Sequence, residues 1–209
     1  MTHPASLMAF WTAVLLVGLS AIAPGARAQE LGREGNLVFG AERLFGLYFD
    51  HQNIDDGVLE SDVDGTLFGI GWQDPFSIFG IPRLGVDYFI DEHLTVGGNF
   101  GVFTRSIEDF DSTGILIAGR VGYALRLSNA IAFWPRAGLT FATINADGNA
   151  DNSIFSLSLE GMFSIAPSDG WSFLLGPVLE LGFAGEQRDA DYSEILFGIM
   201  IGLAGWVDL

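Results

Sequence analysis

From Gly35 to the last residue, large apolar side chains recur at every second position in segments of roughly 10–15 residues. The clearest is Ser153–Ile165, in which Phe155, Leu157, Leu159, Phe163 and Ile165 share one face and Ser156, Ser158, Glu160 and Ser164 the other. A period of two over that length is the pattern of a strand crossing a lipid bilayer. Read this way the chain predicts eight strands: about Asn36–Asp50, a second ending in Ile81–Ile90, Leu94–Arg105, Gly114–Leu127, Ala130–Thr143, Ser153–Ile165, Trp171–Gly185 and Glu194–Val207. Short turns follow the even strands (Asp91-Glu92-His93, Ser128-Asn129, Ala166–Gly170). Longer acidic loops are expected after the odd ones, carrying Asp55, Asp56, Glu60, Asp62 and Asp64; Glu108, Asp109 and Asp111; Asp147 and Asp151; and Glu186, Asp189 and Asp191. An even count with short turns on one rim leaves both termini on that rim. The stretch Thr66–Gly80 fits least well, and is read as an upward extension of the second strand broken by an irregular bulge between Asp74 and Gly80.

Side-chain volume decides which face is outside. In the last strand Ile195, Phe197, Ile199, Ile201 and Leu203 oppose Leu196, Gly198, Met200, Gly202 and Ala204. In the fourth, Ile115, Ile117, Val121, Tyr123 and Leu125 oppose Ala118, Arg120, Gly122, Ala124 and Arg126. Bulk on one face with glycine and charge on the other suits a narrow barrel whose lumen is filled by side chains. In water the bulky face would be one very large apolar patch. In lipid an open sheet would strand backbone groups at several kcal/mol each, so the sheet must close. The fold class is therefore all-β: a closed, antiparallel, eight-stranded up-and-down transmembrane barrel.

Alternation then predicts a structural charge network in the lumen: Glu42, Arg83, Asp87, Arg120, Arg126, Arg136, Glu160 and Glu180, four groups of each sign. A lone buried charge is costly, whereas paired and hydrogen-bonded charges are tolerated. Arginine suits the role because its planar fork bridges two carboxylates and stays ionised. Strict alternation places Arg43 on the lipid face; a bulge near Glu42-Arg43 would turn both inward.

The first 28 residues form a separate unit. Leu7–Ala23 is almost wholly apolar and leads to Ala26-Arg27-Ala28, an A-x-A site, so residues 1–28 read as a signal peptide cleaved before Gln29 and residues 29–209 as one barrel domain. Composition adds an acidic bias: nine basic residues, all arginine, against 26 acids, for a net charge of −17, in a chain that is 49% apolar and has no cysteine. That charge argues against nucleic acid as a partner. After the signal no apolar run approaches the roughly 18 residues of a membrane helix.

With this layout the mature chain resembles the eight-stranded outer-membrane barrels, namely the OmpA transmembrane domain, OmpX and the opacity proteins. Ala41–Gly46, Pro82–Phe89 and Trp134–Gly138 are similar to segments of bacterial barrel-domain proteins. The resemblance implies an outer-membrane location, a lipid environment, a monomer and an aromatic assembly signal at the C terminus, where this chain has Trp206-Val207-Asp208-Leu209. Some barrels of this size are lipid A enzymes that use a histidine and a serine near the rim. Here the mature chain has only His51, with no neighbouring serine, and His93 in a turn. Asp147-Gly148-Asn149-Ala150-Asp151 begins like a calcium loop, but lacks the Gly at the sixth position and has Ser158 at the twelfth. Loose divalent-cation binding by the acidic loops is the more economical expectation, with no dedicated metal site, cofactor or catalytic group. The reading is a non-enzymatic barrel with a structural or surface-interaction role. A narrow channel for ions or small apolar molecules is the alternative, and a lipid-modifying enzyme the third.

Overall fold

Alternating side chains commit each strand to one inner and one outer face, and the closed ladder follows from that. The computed structural model describes residues 32–55, 60–70, 77–107, 110–146, 149–187 and 190–209; the signal-like segment 1–28 lies outside them, as does part of the calcium-like loop. The elements are β1 (Asn36–Asp55), β2 (Glu60–Ile70), a 3-10 turn (Ile78–Gly80), β3 (Arg83–Phe89), β4 (Leu94–Ile107), β5 (Phe110–Tyr123), β6 (Leu125–Arg126), β7 (Ile131–Ala146), β8 (Asn149–Ser168), β9 (Trp171–Gln187) and β10 (Ala190–Asp208). Antiparallel pairing runs β1-β3-β4-β5-β7-β8-β9-β10, and β10 returns to β1 from Asn36↔Asp208 to Asp55↔Asp191, closing the eight-stranded barrel.

The outer wall exposes Phe39, Phe45, Leu47 and Phe49 on β1 and Ile195, Phe197, Ile199 and Ile201 on β10, with similar rows on the other strands. Only a hydrocarbon surrounding suits such a girdle. The inner faces fill the lumen in layers. Val38, Phe89, Trp134, Leu174 and Trp206 form an apolar floor toward the termini, and Tyr48, Leu116, Ile154, Leu196 and Met200 lie higher. Between them sits a band of charge. Inward glycines make the room: a Cβ on Gly85 would come within 2.7 Å of Arg120 Nη2, and one on Gly122 within 2.5 Å of Trp134 Nε1.

The second stave is built from two strands. On β1, Phe45 faces Ile70 of β2 and Glu42 faces Arg83 of β3, and residues 71–76, with the first part of the expected bulge, lie outside the described residues. Thr66–Ile70 is strand, as expected of an upward extension. The interruption is more than a bulge, because Ser77–Ile81 turns into the lumen, where Ser77, Ile78, Phe79 and Ile81 are all buried.

The acidic segments also differ from expectation. In place of longer loops, β4 and β5 pair out to Ile107↔Phe110, β7 and β8 to Ala146↔Asn149, and β9 and β10 to Gln187↔Ala190. Acidic side chains mark where the wall leaves the apolar girdle; they do not stop backbone pairing, which needs no apolar side chain once water is available.

Candidate functional site in the barrel lumen

Seven of the eight residues assigned to the lumen are buried in it: Glu42, Arg83, Asp87, Arg120, Arg136, Glu160 and Glu180. Arg43 is buried with them, 1% exposed. It enters through a bulge: Ala41 pairs with Leu203 and Phe45 with Ile201, so Glu42, Arg43 and Leu44 face the single residue Gly202. Arg43 adopts φ 56°, the only left-handed non-glycine backbone among the described residues. That conformation is unfavourable for a residue with a Cβ in isolation, and here it turns two successive side chains to one face.

Arg126 is the correction. The β5–β7 ladder stops at Gly122↔Arg136 and resumes in β6 at Leu125↔Phe133, across from Pro135, which has no N–H to donate. Past that break both residues of β6 are exposed, and Arg126 lies on the short-turn rim.

The eight buried groups form one chain of alternating sign. Arg120 clasps Glu42 with two bonds, Nη1 to Oε2 at 2.7 Å and Nη2 to Oε1 at 2.8 Å, and also holds Asp87, its Nε donating to Oδ1 at 2.9 Å. Arg136 reaches Glu42 at 2.6 Å and lies 2.7 Å from Glu160. Arg43 links Glu160, at 3.2 Å, to Glu180, at 2.5 Å, and Arg83 ends the chain on Glu180 at 3.0 Å. The order is Asp87–Arg120–Glu42–Arg136–Glu160–Arg43–Glu180–Arg83, four cations against four anions. Ser156 and Ser158 donate to the two oxygens of Glu180 at 2.8 and 3.0 Å. Below the chain, the Arg136 guanidinium stacks over Trp134 at 4.9 Å, and Trp134 Nε1 donates to Thr95 Oγ1 at 3.1 Å. Such a network balances its own charge across the middle of the lumen.

Alternation alone also overlooked an upper layer. Asp50 and Glu194 point inward and are buried. They stand at the ends of the strands read from sequence, where burial is not legible. Ser77, on the inward segment, donates to Glu194, while the carbonyl of Phe79 accepts from both Arg43 and, at 3.0 Å, Arg83. The segment is thus hydrogen-bonded to the barrel through both Ser77 and Phe79.

The two described histidines lie elsewhere. His51 is on the outer surface just above Phe49, bonded to Asp64 at 2.8 Å; that hydrogen bond holds its imidazole above the usual histidine range. His93 Nδ1 meets the carbonyl of Ala124 at 3.0 Å in a turn. Among the described residues no three His, Cys, Asp or Glu side chains are grouped to hold a metal ion.

No protein-family model matches the sequence, and no curated protein matches it either. Solved structures do. Neisserial surface protein A is 12% identical with a TM-score of 0.50, covering 82% of this chain and 97% of its own. The N-terminal barrel domain of Pseudomonas aeruginosa OprF is 11% identical with a TM-score of 0.44, covering 82% of this chain and 98% of its own. Ail, the attachment invasion locus protein of Yersinia pestis, is 16% identical with a TM-score of 0.38, covering 82% and 99%. The chain is similar to eight-stranded outer-membrane barrels, and at these identities the similarity speaks to fold.

Proposed function

We propose that the protein is a non-enzymatic outer-membrane barrel, exported by a cleaved signal peptide, that serves as a rigid wall-embedded scaffold presenting acidic strand ends at the cell surface. The observation that carries this is the pairing of an apolar exterior with four buried arginines and four buried carboxylates inside. A barrel of eight strands leaves room for side chains and little else. The hairpins that rise above the girdle expose Asp55, Asp62, Asp64 and Asp191 to water, where they can meet divalent cations or a basic partner. A surface role is in keeping with the name of the Neisserial protein of similar fold.

Two measurements test the reading. Purified protein left unboiled should migrate differently in detergent gels from boiled protein, because a closed barrel resists detergent until heated; recovery in soluble form without detergent would remove the membrane assignment. Planar bilayers should record no steady conductance. Stable single-channel steps that shift on Arg136→Ala would show the charge chain lining a conduit and replace the scaffold with a narrow channel.

A further inference from the structure

The apolar exterior carries a recess of about 530 Å³ centred on β7, β8 and β9. Its floor is Pro135 and Ala137 of β7, Gly161 of β8 and Pro177 of β9, and Tyr123, Leu159 and Phe197 stand around it. The outward row of β8 runs Phe155, Leu157, Leu159, Gly161, Phe163, Ile165, so its one small member lies well inside the girdle. A Cβ on Gly161 would come within 3.3 Å of Pro177 Cγ, and the glycine keeps the floor low over its own backbone.

The two prolines withhold donors from the strands beside them. Successive residues of an antiparallel strand turn their backbone groups to opposite neighbours. Ala124 N–H donates to the His93 carbonyl at 2.7 Å, so Tyr123 turns its carbonyl the other way, toward β7, where Pro135 stands opposite. Ala166 N–H donates to the Ala130 carbonyl at 2.8 Å, which turns Gly161, an odd number of residues away, toward β9. Opposite it there, between Glu160↔Val178 and Phe163↔Leu175, stands Pro177. The Gly161 oxygen does lie against β9, at the spot that a Cβ on Gly176 would claim. Neither the Tyr123 nor the Gly161 carbonyl therefore receives its ladder hydrogen bond. On a wetted surface water would replace it; in hydrocarbon no water is at hand, and an unpaired carbonyl is costly.

We propose that the recess binds a lipid chain bearing a hydroxyl group, which donates to the Gly161 carbonyl, with the Tyr123 carbonyl as a second acceptor nearer the short-turn rim. A plain acyl chain fills the recess but brings no donor, and a headgroup brings donors but stays at the membrane surface. The recess is continuous with the girdle that meets lipid, so a membrane lipid reaches it sideways without entering the lumen. The inference rests on the exterior facing lipid, and is independent of the surface role and of bilayer silence.

The mature chain, folded in detergent micelles, would be offered an equimolar mixture of stearic acid and its mid-chain hydroxy analogue and weighed intact by native mass spectrometry. One bound chain is expected, with the hydroxy form enriched roughly tenfold over the plain one. Pro135→Ala combined with Pro177→Ala returns both N–H groups; a chain should still bind, but the ratio should fall to about one. Ala137→Phe fills the recess from the lipid side and should remove both adducts. Equal uptake of the two acids by the unaltered protein, or a preference that survives the double substitution, overturns the proposal. An unliganded dimer would hand the recess to a second copy and overturn it too. A heat-modifiable protein that takes up neither chain overturns the site and leaves the membrane reading standing, whereas recovery in soluble form without detergent overturns both. The unaltered protein's ratio needs no variant. Should the double variant not give a heat-modifiable barrel, Pro177→Ala alone is expected to lose most of the preference.

Discussion

The central charge chain and the His51–Asp64 pair on the rim are built from the same kind of contact in opposite surroundings. Arg43 meets Glu180 at 2.5 Å with neither side chain exposed; His51 meets Asp64 at 2.8 Å with side chains 48% and 87% exposed. In water the pair's attraction is screened and its ordering cost remains, so it contributes little. In the lumen the attraction is strong, but so is the cost of desolvating each ion. What matters inside is therefore completeness: every ion in the chain has a partner, and removing one leaves another stranded.

The largest effect should follow from breaking that completeness. Glu160→Ala leaves Arg43 and Arg136 each short of a carboxylate, and Arg120→Ala takes one of the two arginines from Glu42 and leaves Asp87 with Arg136 at 3.9 Å; each is expected to destabilise the barrel by about 3–5 kcal/mol in urea unfolding from lipid vesicles. Losses no greater than those of rim substitutions would mean the charges are solvated and the lumen is wet. A charge added on the other side of the wall should cost somewhat less, because it has lipid around it and the chance to snorkel: Ile199→Arg on the outer face is expected to cost about 2–4 kcal/mol. A neutral result there would place that face in water. Crowding the network should cost less again. Gly85→Ala brings a methyl group against Arg120 and Glu42, and about 1–3 kcal/mol of destabilisation is expected from the displaced fork.

The rim pair should move stability least and in a direction fixed by pH. The hydrogen bond that His51 donates to Asp64 raises the His51 value, so any stabilisation is fully present below the unfolded histidine value of about 6.5 and is lost as pH rises through the folded one. Replacing Asp64 by Asn should abolish this small slope in the thermal midpoint of the unboiled form without shifting the low-pH plateau of the central chain's variants. A slope that survived the substitution would trace to some other group.

Much of the fold was legible because alternation of bulk and charge is a property of neighbouring residues. Ile195 to Leu203 must face lipid or core whichever strand lies beside them, and the inward row of Gly198, Met200 and Gly202 leaves no other sense for the wall. The inward placement of Arg120, Arg136, Glu160 and Glu180 follows from the same parity. Where parity is broken locally, sequence reasoning loses its footing. Arg43 sits a residue out of step, and its outward assignment was itself the sign that something irregular occurs there; the bulge that resolves it exists because β10 offers only Gly202 opposite three residues. Arg126 keeps parity yet lies past the ladder break across from Pro135, where its side chain is exposed.

What the amino-acid sequence determined by itself was the period, the number of staves, the sign and bulk of each face and the need for closure. These arise from local alternation and from the cost of unpaired backbone in hydrocarbon. Only the tertiary structure decided which charge meets which, that Ser77–Ile81 folds inward, that the acidic stretches continue as strand, and that Asp50 and Glu194 are buried. Those outcomes depend on register between strands and on a bulge three residues wide, and a carboxylate cannot announce from sequence whether water or an arginine will stand in front of it.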